Sequence, residues 1–411
     1  MHKNTNFTGQ PILGQLLGLL NKPEIRHLSK SGGYDRYVKK LDGYTHLVIL
    51  LYAVLMGFDS IREIVIGMLA EARKLKHLGI DYMVRRSTLA DANNRRSSRF
   101  FEDVYRMLYE RYKKRLGLVS GAHSWESKLY VMDSTTISLF SNILKGAGRN
   151  PKKGKKKGGI KAHTMVKYEE GIPQMINYTS AATHDHFLLR DVRLPPGSII
   201  TFDRAYIDYD EFERLTMEGV TYVTKMKKNL RYDVNDSEIR VNDKGLAVVR
   251  ISRVRFSKMK TVDGQATEMH HDARLVEYWE EDTGKFVRLL TNDFSLEWEE
   301  IREIYRRRWS IEVMFRLLKS NFQLVYFYGD SVNAIEIQIW VTMIAFLLLQ
   351  VVKSYVKKKW AFSNMVTYVR QCLMYYVDIY RFLENPEGEW LSIVRELEST
   401  PSLFDPVIET D

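Results

Sequence analysis

Four polar residues, Tyr305, Arg308, Glu312 and Lys319, occur at spacings that match the turns of a helix. At roughly 100° per residue they share a stripe about 60° wide on the helix surface. The apolar arc beside that stripe consists of Ile304, Ile311, Phe315, Leu318 and Phe322. Such a helix can bury one side and direct a carboxylate, two cations and a phenol into a cleft, which suits a metal-bound phosphate. The alternative is an amphipathic helix whose charged face is only solvated.

Two aspartates each follow a short apolar run that predicts a β-strand. Asp133 follows residues 128–132, and Asp203 follows residues 197–202. Functional sites in α/β sheets are built at the carboxyl ends of strands. A single aspartate after a strand is usually a turn or helix-cap residue. Two of them together with Glu312 favour a site of three carboxylates that the fold assembles from distant parts of the chain.

Three carboxylates without a thiol or histidine cluster favour a hard, oxygen-preferring cation. Mg²⁺ fits best, with Mn²⁺ as a substitute. Two such ions about 3.5–4 Å apart can activate a water or a 3′-hydroxyl on one side of a phosphorus and stabilise the leaving oxygen on the other. The flanks of His163, His184 and His186 lack zinc-type spacing, so we expect these histidines to be structural or DNA-facing.

The spacing Y-x2-R-x3-E-x6-K resembles the signature of one branch of the bacterial insertion-sequence DDE transposases, the cut-and-paste group with a β-rich insertion in the catalytic domain. All four positions match without a gap, so the signal is specific. The resemblance implies an RNase H-like catalytic domain in which Asp133, Asp203 and Glu312 hold the metal ions. It also implies an all-β insertion between the second and third acids.

The same resemblance implies contacts with DNA. Tyr305, Arg308 and Lys319 would contact the phosphates of the transposon end near the cut; arginine presents a planar fork to phosphate, and lysine a mobile point charge. Some members carry D-R-E-A-D at the second acid, whereas residues 203–208 read D-R-A-Y-I-D. Arg204 is therefore matched as a DNA contact, and the displaced Asp208 has an open role.

The charge balance also indicates an anionic partner. The chain has a net charge of +11 and a pI near 9.3, although many basic proteins never touch DNA. Residues 141–167 carry nine lysines and arginines and no acid. This loop can clamp a duplex or can simply be solvated. The lysines that would contact phosphates are Lys152, Lys153, Lys155, Lys156 and Lys157, and together they would steepen the log-log salt dependence of DNA binding by about 4.5 units.

Length and composition limit the class of protein. A chain of 411 residues with 45% hydrophobic content predicts two or three domains. The single cysteine, Cys372, excludes an internal disulfide framework and suits a reducing compartment. Without a signal-peptide pattern, we expect a cytoplasmic, nucleoid-associated protein. The apolar stretch 337–352 is about 16 residues long, which is short for a membrane span, so we expect a buried helix.

The predicted fold class is α/β: an RNase H-like mixed sheet flanked by helices, interrupted by an all-β insertion, with helical regions at both ends. The predicted helices are residues 11–20, 34–56, 60–75, 87–116, 186–192, 208–217 and one from 295 onward through the signature. The predicted strands are 129–133, 160–168, 174–180, 199–203, 222–226, 247–256, 273–279 and 285–291. The predicted regions are 1–122, a helical DNA-binding region; 123–225, the first part of the catalytic core; 226–292, the β-rich insertion; 293–330, the final part of the core; and 331–411, a helical C-terminal region.

Arginines cluster at the start of the fourth predicted helix, and Ser87 is a candidate cap for it. Arg95 and Arg96 in this cluster are candidate contacts for specific recognition of terminal inverted repeats. Bundles that only pack have the same helical pattern, so this interpretation stays open. Trp309, next to the signature, is either a core tryptophan or a residue that stacks on a DNA base.

These features together predict a transposase. We expect a homodimer that binds double-stranded DNA at the terminal inverted repeats, cuts it with bound Mg²⁺ and joins the freed 3′-hydroxyls to target DNA. One alternative is an RNase H-like nuclease that hydrolyses DNA without strand transfer. The other is a catalytically inactive regulator that only binds the ends, but all three carboxylates are present in this chain.

Overall fold

The computed structural model describes residues 9–36, 38–117, 123–138, 159–180, 185–241, 247–262, 265–322, 324 and 326–399. The chain divides into two compact units. The helical unit comprises residues 1–115 and 317–411, and the sheet unit comprises residues 116–316. The N-terminal and C-terminal helices therefore belong to one unit, although the whole sheet unit separates them in sequence.

Helices account for most of the described helical unit and flank the strands of the sheet unit. Their bounds in chain order are α1 Ile12–Leu17, α2 Lys22–Ser31, α3 Gly43–Met56, α4 Ile61–Ala70, α5 Ala72–His77, α6 Arg86–Arg95, α7 Ser98–Leu116, α8 Tyr209–Met217, α9 Trp298–Arg307, α10 Trp309–Asn321, α11 Val332–Tyr355, α12 Phe362–Cys372, α13 Ile379–Glu384 and α14 Pro386–Ser399.

The N-terminal helices are shorter than the sequence pattern predicted. The helix expected over residues 34–56 begins only at Gly43, because Asp42 Oδ1 accepts a hydrogen bond from the Thr45 N–H at 2.7 Å and caps the helix there. The helix expected over 60–75 divides into α4 and α5, and that over 87–116 divides into α6 and α7. Ser87 is not a cap, since α6 already begins at Arg86 without a side-chain cap. Helix α2 was not predicted.

Helix α11 is the long apolar helix of the helical unit. It has 24 residues, so the length argument against a membrane span was wrong, and by length and composition alone the helix could cross a bilayer. However, 89% of its most apolar window is buried inside the protein. Helix α3 packs against it. The expectation of a buried helix is therefore confirmed by its packing and not by its length.

The strands in the described part of the sheet unit form one mixed sheet. Their bounds are β1 Leu129–Ser138, β2 Gly159–Lys167, β3 Ile172–Ser180, β4 Ile199–Phe202, β5 Thr221–Lys225, β6 Asp233–Val241, β7 Ala247–Val262, β8 Gln265–Glu280 and β9 Lys285–Thr291. The order across the sheet is β3-β2-β1-β4-β5-β9-β8-β7-β6. Strands β1, β4 and β5 are parallel neighbours, and the other neighbours are antiparallel. The predicted α/β class is confirmed.

The β-rich insertion continues this same sheet. Strand β9 pairs with β5, with Val223 opposite Thr291, so β6 to β9 extend the sheet beyond β5. Strand β9 has the predicted bounds, and β7 and β8 are longer than predicted. Strand β6 was not predicted; it is an edge strand whose side chains are almost all exposed, so it has no apolar alternation to reveal it.

Aromatic side chains form much of the core around β4, β5 and α8. The rings of Phe212 and Tyr222 stack with their centroids 4.1 Å apart, and Phe202 packs beside them. Asp208 caps α8, since its Oδ1 accepts a hydrogen bond from the Asp210 N–H at 3.1 Å. Asp208 therefore has a structural role at the start of this helix.

The signature segment consists of two helices and not one. A tight turn at Arg308 separates α9 from α10: the Arg308 N–H donates to the Tyr305 carbonyl at 3.1 Å, and the Ile311 N–H donates to the Arg308 carbonyl at 3.3 Å. Helix α9 begins with a capping box formed by Glu297 and Glu300. Ser295, at which the predicted helix began, lies before the helix and donates hydrogen bonds to Asp293.

Candidate active site

The parallel pairing of β1 with β4 places two aspartates side by side. The last parallel pair is Met132 opposite Phe202, and Asp133 and Asp203 are the next residues on the two strands. Adjacent strands lie about 4.8 Å apart, so the two carboxylates leave the sheet at neighbouring points. Strand β1 continues beyond Asp133, which lies opposite Thr164 of β2. Asp133 is therefore at the end of the parallel ladder but not at the end of its strand.

Each aspartate is oriented by the backbone that follows it. Asp133 Oδ1 accepts a hydrogen bond from the Ser134 N–H at 2.7 Å. Asp203 Oδ1 accepts one from the Arg204 N–H at 2.7 Å, and this contact begins a short 3₁₀ helix, Arg204–Tyr206. One oxygen of each carboxylate is thereby held by the main chain, which leaves the other oxygen for a further partner.

Arg308 joins the first acid to the third. Its Nη1 donates to Asp133 Oδ2 at 2.9 Å, and its Nη2 donates to Glu312 Oε1 at 2.6 Å. The Arg308 side chain is 14% exposed, and those of Asp133 and Glu312 are 15% and 31% exposed. The Arg308 guanidinium carbon also lies 5.7 Å from the centre of the Tyr305 ring. The structure thus brings together Asp133, Tyr305, Arg308 and Glu312.

The local electrostatics show an excess of negative charge. The pKa of Asp133 is raised to about 6, mainly by burial; the Ser134 N–H and Arg308 oppose this rise, and the neighbouring Asp203 and Glu312 carboxylates add to it. Burial is also the main reason that the pKa of Tyr305 is raised, so its phenol stays protonated at neutral pH. Arg308 forms ion pairs with Asp133 and Glu312, and the Asp203 carboxylate adds a further negative charge nearby.

The donor types at this site are those that a hard divalent cation prefers, although these described side chains are not grouped around one position for an ion. Carboxylate oxygens are the ligands that Mg²⁺ and Mn²⁺ prefer, so the side-chain types of Asp133, Asp203 and Glu312 suit such an ion. In the described part of the chain, no three acidic, histidine or cysteine side chains are grouped closely enough to hold an ion. Asp133 and Glu312 are kept apart from each other because the Arg308 guanidinium lies between them and bridges them.

Lys319 of the signature and the two other candidate residues near the acids, Arg204 and Trp309, also have described positions. Lys319 lies on α10 seven residues after Glu312, and so on the same side of that helix. Arg204 is exposed directly after Asp203. Trp309 is 52% exposed, so the interpretation as a core tryptophan was wrong.

The two arginines expected to read DNA differ in the helical unit. Arg95 is exposed and forms an ion pair with Asp91 at 2.8 Å. Arg96 is only 5% exposed and donates to Asp35, to His46 Nδ1 and to a backbone carbonyl. These contacts make Arg96 a part of the core. We therefore do not retain Arg96 as a side chain that reads bases, because a buried guanidinium cannot reach a groove.

Some predicted residues lie outside the described part of the chain. These are His184 and the loop lysines Lys152, Lys153, Lys155, Lys156 and Lys157. His186 lies in the 3₁₀ helix Asp185–Asp191, and nothing is described of its side chain.

A buried histidine next to the second acid was assigned no chemistry from sequence. His163 of β2 contacts the Tyr206 hydroxyl at 3.1 Å through Nδ1 and Thr179 Oγ1 at 2.8 Å through Nε2. Tyr206 ends the short helix that follows Asp203, so this contact holds the turn that carries Asp203 against the sheet. Only the proximity of Tyr206 to Asp203 in sequence could have indicated this role.

Two family models match the chain. Residues 124–348, more than half of the chain, match the model described as Transposase DDE domain. Residues 8–81 match a model described as Domain of unknown function (DUF4372). The first match includes both aspartates and the whole signature segment.

Three individual proteins are similar to this chain. The Sinorhizobium fredii protein named transposase y4zB is 27% identical over 64% of this chain and 70% of its own length. The transposase named for insertion sequence element IS5377 of Geobacillus stearothermophilus is 26% identical over 59% of this chain and 62% of its own length. The transposase named for insertion sequence element IS4SA of Synechocystis is 24% identical over 64% of this chain and 70% of its own length.

Proposed function

This chain belongs to the transposase DDE domain family and acts in the DNA transposition of an insertion sequence, and we propose that Asp133, Asp203 and Glu312 are its catalytic acids. The proposal is supported mainly by two independent features of the structure that meet at Asp133. The parallel register puts Asp133 beside Asp203, and Arg308 ties Asp133 to Glu312.

The family uses divalent metal ions, and we infer that this chain uses Mg²⁺, with Mn²⁺ as a substitute, and two ions at once. Asp133, Asp203 and Glu312 would hold them. When bound, the ions would activate a water or a 3′-hydroxyl and stabilise the oxygen that leaves the phosphorus. The protein contributes the orientation of the carboxylates, which Ser134, Arg204 and Arg308 hold through hydrogen bonds.

The cationic residues around the acids suit a phosphate. The planar guanidinium of Arg308 already binds two carboxylates as a fork, and the same fork matches two phosphate oxygens. The protonated Tyr305 phenol can donate to a phosphate, and we infer that Arg204 and Lys319 also contact the DNA backbone. Loss of these residues should weaken binding of any DNA sequence, because phosphates carry no base identity.

The partners in this proposal are double-stranded terminal inverted repeats and target DNA. The protein would act as a homodimer that holds two ends while it cuts them and joins their 3′-hydroxyls to the target. The net charge of +11 supports an anionic partner of this kind.

A cleavage and joining assay tests the assignment. The substrate is labelled DNA with the inverted repeats that flank the gene, in Mg²⁺, and the variants are Asp203→Asn and Glu312→Gln. The matched control is Glu299→Gln, which removes the same charge from an exposed position on α9. We expect both site variants to bind the ends and to lose cleavage and joining by at least a hundredfold, while the control keeps both activities.

Other outcomes would identify another function. Cutting without joining by the native protein would indicate a nuclease. Binding of the ends without either reaction would indicate a regulator. Equal activity of Glu312→Gln and the control would remove Glu312 from the chemistry.

A further inference from the structure

The helical unit contains a cavity of about 640 Å³ between the segment that precedes α3 and the start of α6. All of its lining residues belong to that unit, and none belongs to the acidic site. The cavity wall is strongly cationic; among the described lining residues Asp91 is the one acid. The cationic lining residues are Arg36, Lys39, Lys40, Arg85, Arg95 and Arg96.

Two hydrogen-bond donors in this wall lack an acceptor among the described residues. One is the Nε–H of Arg96, a residue that is otherwise fully engaged with Asp35, His46 and a carbonyl. The other is the hydroxyl of Tyr82. Burial raises the pKa of Tyr82 to about 12, so this hydroxyl remains a donor at neutral pH. A buried donor without an acceptor is costly in a folded protein, and an acceptor supplied by a ligand would remove that cost.

Two cations of the wall, Arg95 and Lys40, form weak contacts. The Arg95–Asp91 pair is exposed, and pairs of this kind contribute little to stability. The Lys40 ammonium lies 5.9 Å from the centre of the Tyr82 ring, near the outer limit of a cation–π contact. Arg95 and Lys40 can therefore exchange these contacts for an anionic ligand at small cost.

We propose that this cavity binds a phosphate of the DNA backbone. Arg96, fixed by its internal contacts, would form a rigid base, while Lys40 and Arg85 would contact the phosphate oxygens. The choice of DNA as the source of the phosphate rests on the proposed function. The preference of the cavity for a phosphate rests instead on its cationic lining. Arg96 thus acts from within the wall, as a fixed positive charge, and not in a groove of the duplex.

The test measures the salt dependence of DNA binding in the catalytically inactive Glu312→Gln background, so that cutting cannot affect the result. The variants are Lys40→Gln and Arg85→Gln, separately and together. The matched control is Lys114→Gln, which removes the same charge from an exposed position on α7 outside the cavity. Fluorescence anisotropy of a labelled end duplex gives the dissociation constant at several salt concentrations.

Each lost phosphate contact should lower the log-log slope by about 0.9, so the double variant should lose about 1.8 units. The control should keep the native slope. Tyr82→Phe removes only the hydroxyl without an acceptor, and we expect it to weaken binding by about tenfold while circular dichroism shows an unchanged helix content. An unchanged slope in the double variant would overturn the proposal, whatever the result of the cleavage assay.

A second arm separates the two sources of phosphate. Inorganic phosphate and a nucleoside diphosphate are titrated into the protein by calorimetry. Weak or undetectable binding of both, together with the reduced DNA slope, supports the DNA backbone as the ligand. Tight binding of a free nucleotide that Arg85→Gln abolishes, with no change in the DNA slope, would overturn the assignment to DNA while the proposed transposase chemistry stands.

Discussion

Arg308 is the residue whose replacement should reveal the charge balance of the acidic site. It donates to Asp133 and to Glu312 at the same time and is mostly buried. Arg308→Gln keeps a polar side chain but removes the positive charge. Two carboxylates are then left next to Asp203 without their cation, and we expect the metal-free protein to be less stable.

The size of the loss follows from the exposure of the three groups. Removing one partner from a fully buried ion pair costs about 3–5 kcal/mol, whereas an exposed pair contributes about 0–1 kcal/mol. Asp133 is 15% exposed and Glu312 is 31% exposed, so the site lies between these limits. We therefore expect a loss of about 2 kcal/mol in the free energy of unfolding of the sheet unit. For a domain of this size, that corresponds to a fall of about 4–8 °C in the unfolding midpoint.

Differential scanning calorimetry in the presence of a chelator measures this fall. The matched control is Arg306→Gln, which removes the same charge from an exposed position on α9, where the nearest carboxylate, Glu303, is 3.8 Å away. Mg²⁺ is then added. With Arg308 gone, the ion no longer competes with the guanidinium for Asp133 and Glu312, so it should stabilise the variant more than the native protein. An ion present at ten times its dissociation constant stabilises by about 1.4 kcal/mol.

Two results would refute this reasoning. If Arg308→Gln and the Arg306→Gln control lower the midpoint equally, then the bridge does not stabilise the site. If Mg²⁺ raises the midpoints of the native protein and of Arg308→Gln by the same amount, then Arg308 and the cation do not compete for the same carboxylates.

Three further predictions concern other residues. His46 is buried and its pKa is lowered to about 3, mainly by burial and then by Arg96, so it stays neutral in the folded protein while the unfolded chain takes up a proton below about 6.5. The free energy of unfolding should therefore decrease as the pH is lowered from about 6.5 to about 3, by up to about 1.4 kcal/mol per pH unit. Equilibrium denaturation of His46→Gln should show a smaller dependence of stability on pH. Tyr206→Phe removes the contact with His163 and should raise the Mg²⁺ concentration needed for half-maximal cleavage without loss of fold, as titration of the cleavage rate will show. Trp309→Ala should change the unfolding midpoint by less than about 2 °C, because the side chain is 52% exposed; a larger fall by calorimetry would show that it packs in the core.

The parts of the fold that are governed by apolar periodicity could be predicted from the sequence. Strand β9 follows the turn at residues 282–284 and ends in a buried apolar segment, and its bounds were predicted correctly. The neighbouring positions of Asp133 and Asp203 were also predictable, because acids that end apolar runs meet at the edge of a parallel sheet. Strand β6 was missed because it is exposed at an edge. The second half of β1 was missed because its polar residues resemble a loop.

Charge patterns gave less information than apolar patterns. Arg95 and Arg96 are neighbours in a basic cluster, yet one is exposed and the other is buried in contact with Asp35 and His46. No local feature of the sequence distinguishes them, because the burial of Arg96 depends on acceptors that lie about fifty residues away. A cluster of arginines therefore indicates an anionic partner but does not identify which side chains contact it.

The signature spacing was informative because part of the site is built by local geometry. Arg308 and Glu312 are four residues apart, so any helical backbone brings the guanidinium close to the carboxylate. The break at Arg308 did not change this, since Arg308 itself has α-helical dihedral angles and α10 begins at the next residue. The bond from Arg308 to Asp133 is different: it joins residues 175 positions apart and depends on how the signature helices pack on the sheet. Arg308 belongs to both kinds of contact, and for that reason its replacement should report on the whole acidic site and not on one helix.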